Sequence, residues 1–226
     1  MKKNLALAIV LLVMFSLNAG AQSIEEIEKN RVTLPNGWSL TPVGKLTPLG
    51  DLPLNIAVSP SGKLAAVTNN GYGTQYVQLI NIKTGKTIDS AILGKSWLGL
   101  TFANNGKAVY ASGGNDNIIV KLPVKGNRFQ PAETIVLGKP WPERISVAGL
   151  AVDKAEKRLY TVTKENNSLY VIDLQNKTVL SRHQLDGEGY TCILSPDQAT
   201  LYVTCWGCDK VIIFDTAQQK ITGSVN

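Results

Sequence analysis

Histidine occurs once, methionine twice and cysteine three times in 226 residues. Structural zinc takes about four ligands at close spacing. Only Cys205 and Cys208 are spaced for ligation, with Cys192 on another strand and His183 in a polar outer segment. No metal site is expected, and no cofactor. A redox Cys-x-x-Cys opens a helix in a strand-helix-strand setting, and "YVTCWGCDKVIIF" offers strands on both sides. Helical periodicity is also scarce: only "SIEEIEKN", Ser23 to Asn30, looks helical, with Ser23 as cap and Glu26 three residues on. The longest apolar run, Leu5 to Leu17, has 13 residues, short of the roughly 20 that span a bilayer. Basic residues are scattered, with no run dense enough to track a phosphate backbone, so nucleic-acid binding is not expected.

What is present begins with a leader. Lys2 and Lys3 precede the apolar run, and Ala19-Gly20-Ala21 supplies a cleavage site before Gln22. This reads as a secretory signal peptide over 1–21 and predicts a periplasmic or secreted protein with no membrane anchor after cleavage. With Lys2 and Lys3 taken from the 23 basic residues, 21 stand against 17 acidic ones, a mature net charge of +4.

The rest of the chain repeats. "LNIAVSPSGKLAAVTNN" from Leu54, "LGLTFANNGKAVYASGG" from Leu98, "AGLAVDKAEKRLYTVTK" from Ala148 and "YTCILSPDQATLYVTCW" from Tyr190 align, with Ala66, Tyr110, Tyr160 and Tyr202 equivalent. The spacings are 44, 50 and 42 residues. In each unit an apolar strand meets a turn such as Ser-Pro-Ser-Gly or Asn-Asn-Gly, a second strand follows, then an Asn/Gly loop, a third strand and a more polar fourth. A period of this size with four strands per unit predicts an all-β fold, a β-propeller of four-stranded antiparallel blades. Four full blades are visible, over 54–97, 98–147, 148–189 and 190–226, after a lead-in over 22–53 that carries outer-strand material.

"AVTN" at Ala66 to Asn69, "YVTC" at Tyr202 to Cys205, and the turns "VSPSG" and "LSPDQ" resemble the YVTN family of β-propeller repeats over roughly Leu54 to Asn226. "YASG" at Tyr110 and "YTVT" at Tyr160 depart from the motif. The resemblance implies export and a seven-bladed ring of which this chain is the N-terminal part, in a family of diverse roles. Four blades in an open arc would leave two apolar faces exposed. The alternatives are a compact four-bladed ring and an arc closed by association with another chain.

Cys205 takes the Asn position of the motif, and Cys208 lies in the following loop. The ends of a β-turn lie within about 7 Å, which overlaps the Cα separations of disulfides, so a Cys205–Cys208 disulfide in an oxidising compartment stands beside the alternative of free thiols. Cys192 should point to the opposite face from Cys205.

Loops between second and third strands share a rim with the connections between blades. That rim collects Trp97, Trp141 and Trp206, with Lys95 and Lys139 in a matched "LGK" phrase and Arg144 nearby. Aromatic surfaces beside cations suit an anionic or partly apolar small molecule, or a protein ligand. The alternative is that the tryptophans plug gaps between blades and the lysines are solvated. Glu143, Asp186 and Glu188 lie in the same loops, but their spacing fixes no acid/base pair, and no catalytic residue is assigned. The expected function is an exported scaffold that binds a ligand or partner. Two other readings remain: the propeller portion of a hydrolase fused to an alkaline-phosphatase-like phosphoesterase domain, a C-terminal domain missing from this chain, and a propeller lactonase.

Overall fold

The structure, a computed structural model, describes residues 23–29, 31–41 and 45–226; the leader expected over 1–21 lies outside them. Two compact units meet at Leu46–Thr47. In the first, helix α1 (Ile24–Lys29) precedes a hairpin of β1 (Val32–Thr33) and β2 (Ser39–Leu40), whose turn is closed by Gly37 N–H to the Leu34 carbonyl at 3.0 Å. The two strands of this hairpin pair with each other and join none of the larger sheets.

The second unit consists of four antiparallel meanders. Blade 1 comprises β3 (Pro53–Val58), β4 (Leu64–Asn69), β5 (Tyr76–Asn81) and β6 (Lys86–Ile92). Blade 2 comprises β7 (Leu100–Phe102), β8 (Ala108–Ser112) and β9 (Ile118–Lys125), with β10 (Arg128–Phe129) and β11 (Glu133–Val136) both pairing with β9. The short β9–β10 hairpin accounts for the 50-residue spacing in the repeat. Blade 3 holds β12 (Val147–Val152), β13 (Arg158–Thr163), β14 (Ser168–Asp173) and β15 (Thr178–Gln184), and blade 4 holds β16 (Glu188–Leu194), β17 (Thr200–Trp206), β18 (Val211–Asp215) and β19 (Lys220–Val225). The propeller architecture read from the repeat is the observed one.

The apolar core is divided among the junctions between blades. Each blade turns a front face to the blade before it and a rear face to the blade after it. The first junction joins Leu64, Ala66, Val77 and Leu79 to Leu100, Phe102, Val109 and Leu122. The second sets Tyr110 and Ile119 against Leu150, Leu159, Tyr170 and Ile172. The third sets Tyr160 and Val162 against Cys192, Leu201, Val203 and Phe214, with Tyr160 and Phe214 edge to face at 6.3 Å. Fully burying one such side chain contributes about 1.5–3 kcal/mol, so adjacency of blades is strongly fixed.

Close approach of the inner strands needs small residues. A methyl group placed on Gly99 would lie 2.1 Å from the Ala148 carbonyl oxygen, and one on Gly149 would lie 2.9 Å from that of Tyr190. Asn55 is the equivalent residue in blade 1, and there its side-chain N–H donates to the Leu98 carbonyl at 2.6 Å. At the opposite ends of these strands, Asn104 Nδ2 donates to the Asp153 carbonyl at 3.1 Å and Lys154 Nζ to the Pro196 carbonyl at 2.5 Å. Neighbouring turns are therefore linked from blade 2 to blade 3 and from blade 3 to blade 4.

Candidate functional site

The first residue of each connection hydrogen-bonds the last residue of the loop beside it. Leu93, Leu137 and Leu185 donate their N–H groups to the carbonyls of Gln75, Asn117 and Asn167, at 2.9, 2.9 and 2.7 Å. This places the loops between second and third strands and the connections between blades on one rim.

On that rim the blade 1 to blade 2 connection, the 3-10 turn Gly114–Asp116 and Ser146 border a polar hollow of about 230 Å³, lined by Gln75, Lys95, Ser96, Trp97, Gly114, Asn115 and Ser146. Its wall is held by side-chain amides. Ser96 N–H donates to Gln75 Oε1 at 2.6 Å, Ser146 Oγ to Asn115 Oδ1 at 2.8 Å, and Ser146 N–H to Asn117 Oδ1 at 2.8 Å. Asn117 Nδ2 in turn donates to the carbonyls of Lys139 and Glu143, at 2.6 and 2.8 Å. Asn117 sits at φ 57°, a left-handed backbone that Asn tolerates, which turns its side chain into the wall. With one carboxamide holding three backbone groups, the hollow is pre-formed. Ser96 Oγ is buried without a partner among the described residues, a desolvation cost that ordinary folding would remove.

Of the residues singled out from the sequence, Lys95 and Trp97 line this hollow. Trp97 is half-buried and its ring rests against the cluster between blades 3 and 4, so it plugs the arc as well as lining the site. Lys139, Trp141 and Arg144 lie on the neighbouring connection. Trp141 N–H donates to the Asn115 carbonyl at 3.2 Å, and the Arg144 guanidinium stacks 5.1 Å from the Trp141 ring. Trp206 stands apart from them, in a second, shallower hollow of about 410 Å³ with Lys164, Asn167, Gly187 and Glu188, where Tyr190 meets its ring edge-on at 5.4 Å. Gln75, Asn115, Asn117 and Ser146 build the first hollow without having been singled out. For Gln75 and Asn117 the signal is an amide just before the third strand, repeated at Asn167.

The carboxylates are occupied locally. Glu143 Oε2 accepts the Lys139 N–H at 2.6 Å, Asp186 is paired with Lys210, and Glu188 lies 4.0 Å from Lys164. Cys205 and Cys208 are free thiols in the structure, both with Cβ atoms beside Gly187; Cys192, expected on the opposite face from Cys205, shares its face, because it pairs with Val203, two residues before Cys205, and both pack into the cluster between blades 3 and 4. Burial first, then the neighbouring Cys208 thiol, push the Cys205 thiol up to about 12, so it is held protonated. Asp186 likewise holds the Lys210 ammonium above its ordinary value. Among the described residues no group of three or more His, Cys, Asp or Glu is placed to hold a metal ion. The first hollow presents the amides of Gln75 and Asn115, the hydroxyl groups of Ser96 and Ser146 and the Lys95 ammonium.

No family model matches the sequence, and no curated protein matches it. Among solved structures, the chain is similar to hydrazine synthase of Kuenenia stuttgartiensis, with a TM-score of 0.61 and 16% identity over 80% of this chain and 51% of that one. The chain thus spans about half the length of that neighbour. A likeness at this identity concerns the fold.

Proposed function

We propose that this protein is an exported propeller scaffold of the YVTN-repeat type whose rim binds a small ligand bearing hydrogen-bonding and anionic groups. The observation that carries the reading is the amide-walled hollow that Lys95 and Trp97 help to line, held in shape by its own hydrogen bonds. Gln75 Nε2 and Asn115 Nδ2 carry donors not used by the wall bonds, Lys95 adds a cation, and the indole of Trp97 gives one apolar side. A pre-formed concave site with few convergent polar groups is what small-molecule recognition needs. Export rests on the leader read from the sequence, and an intact mass beginning at Gln22 in a periplasmic or secreted fraction tests it.

Binding is tested by thermal unfolding of the protein with a panel of small carboxylates, sugar acids and phosphate esters. A ligand present at about 100 times its Kd stabilises by about 2.7 kcal/mol. Lys95→Ala and Asn115→Ala should reduce the shift, while Trp206→Ala leaves it intact. The reading fails if no member of the panel shifts unfolding, or if the shift depends on Trp206 and not on Lys95.

A further inference from the structure

Among the groups of the first hollow, Ser96 is the one whose hydrogen bonding the fold leaves incomplete. The residue lines the hollow and is only 7% exposed. Its backbone N–H is held by Gln75 Oε1 at 2.6 Å, yet its hydroxyl has no hydrogen-bond partner among the described residues. A bound group that meets this hydroxyl recovers a hydrogen bond that the fold alone does not make. The remaining polar groups are mainly donors. Gln75 Oε1 and Asn115 Oδ1 already accept from Ser96 N–H and Ser146 Oγ, at 2.6 and 2.8 Å, which leaves Nε2 and Nδ2 of the two carboxamides without a bond in the wall. Lys95 adds the cation, and among the described residues no carboxylate lines the hollow.

We infer that the ligand of this hollow is a polyhydroxy monocarboxylate, a sugar acid, whose carboxylate meets Lys95 and whose hydroxyls meet Gln75, Asn115 and Ser96. The inference rests on the reading of the hollow as a ligand site and narrows it to one chemical class. Charge decides between carboxylate and phosphate. A phosphate monoester carries about −1.5 to −2 at pH 7, against one lining cation, and phosphate sites commonly draw on unspent backbone N–H groups. Here the bordering N–H groups are spent inside the protein. That of Ser96 goes to Gln75 Oε1, that of Gly114 to Ser112 Oγ at 3.0 Å, and that of Ser146 to Asn117 Oδ1. Those of Asp116 and Asn117 go to the carbonyls of Gly113 and Gly114, at 3.0 and 3.1 Å. One carboxylate balances one ammonium. Hydroxyl groups suit the rest, because carboxamide N–H groups donate to a hydroxyl oxygen and the Ser96 hydroxyl both donates and accepts. The indole of Trp97 gives the C–H side of such a chain an apolar surface. A volume of about 230 Å³ equals about eight waters at about 30 Å³ each, room for an acid of about four to six carbons and too little for a disaccharide or a nucleotide.

Isothermal titration calorimetry of the purified protein at neutral pH with D-gluconate, sorbitol, hexanoate and glucose 6-phosphate tests this. Sorbitol lacks the carboxylate, hexanoate lacks the hydroxyls, and glucose 6-phosphate exchanges the carboxylate for a phosphate. Gluconate should bind at least about ten-fold more tightly than each of the others. Lys95→Met should bring gluconate down to the affinity of sorbitol. Ser96→Ala should weaken gluconate about ten-fold, leave hexanoate unchanged, and leave the ligand-free protein at least as resistant to urea as the parent, because it removes a hydroxyl that has no partner. Any of the three comparison compounds binding as tightly as gluconate overturns the inference, and if that binding is lost in Asn115→Ala the hollow still stands as a ligand site. Silence from all four also overturns it, and the reading of the hollow falls with it only when the wider set of carboxylates and phosphate esters is silent too. An unchanged gluconate affinity in Ser96→Ala overturns it as well. So does a loss of affinity accompanied by a destabilised ligand-free protein, which would mark the hydroxyl as structural.

Discussion

The same one-carbon change should have opposite effects at two glycines. Gly99 lies on the inner edge of blade 2 and Gly223 on the outer strand of blade 4, and neither uses a positive φ. A Cβ on Gly99 would fall 2.1 Å from the Ala148 carbonyl oxygen, 2.8 Å from Leu150 Cγ and 3.0 Å from Ser112 Cβ, whereas one on Gly223 meets nothing within 4 Å. Because the nearest atom at Gly99 is backbone, no side-chain rotation relieves the clash. Blade 3 would have to retreat by about 1 Å to restore an ordinary contact, and a retreat of that size gives up a large part of the dispersion attraction across the junction. Overpacking of this kind costs about 1–3 kcal/mol, against a gain of about 0.4–1 kcal/mol from restricting the unfolded chain. Gly99→Ala should therefore destabilise by about 1–2 kcal/mol, and Gly223→Ala should stabilise by a few tenths to about 1 kcal/mol. With a urea m-value of about 1–3 kcal/mol/M, the two midpoints should differ by about 1 M at equal protein concentration. A Gly99→Ala midpoint at or above that of the parent would refute the argument that the inner strands are in contact through missing side chains.

Two further outcomes follow from buried titratable groups. His183 packs edge-on against Phe214 at 4.9 Å across the blade 3 to blade 4 junction, and burial holds its imidazole below the ordinary value of 6.5. As pH falls through that value the unfolded chain takes up the proton first, so stability drops below it. His183→Gln should flatten the difference in urea midpoint between about pH 7.5 and about pH 5.5, and a variant that keeps the full difference would contradict this. Burial pushes the Cys192 thiol up to about 12, so a thiol reagent at about pH 8 should spare it until the protein is unfolded, when all three cysteines react. Mild oxidation should join Cys205 to Cys208, read by peptide mapping as the loss of two hydrogens, and a disulfide that includes Cys192 would contradict the placement.

Most of the fold was legible because the repeat is written in turns. Gly62 and Gly106 adopt φ 67° and 71° at the tight turn after the first strand of blades 1 and 2, and both lie in turn-forming phrases. The same left-handed position is taken by Glu156 at 53° and Gln198 at 66° in blades 3 and 4, where no glycine marks it. Their side chains offer the reason: Glu156 Oε1 accepts from Asn105 N–H at 3.2 Å and Gln198 Oε1 from Lys154 N–H at 2.9 Å. A residue that bonds the preceding blade offsets a backbone cost of about 1 kcal/mol, and only the fold reveals that the preceding blade is there. The polar hollow was half legible for a related reason. The periodicity places its loops on one rim, but the carboxamide of Asn117 that ties three of their backbone groups together belongs to no motif.

The limit of periodic reasoning shows most clearly at two pairs of like residues. Trp97 and Trp206 both occupy rim loops, yet Trp97 is turned inward against the blade 3 and blade 4 cluster and Trp206 stands 64% exposed. Tyr160 and Tyr202 share one position in the repeat, yet one is at 2% and the other at 41%. Within the tyrosine pair the strand position is alike, and the difference lies in whether another blade stands opposite. Sequence period encodes what a blade offers to its neighbour, while the neighbour's presence is a fact of assembly. An aromatic residue that is core in one blade is exposed in another where, among the described residues, no blade packs against it.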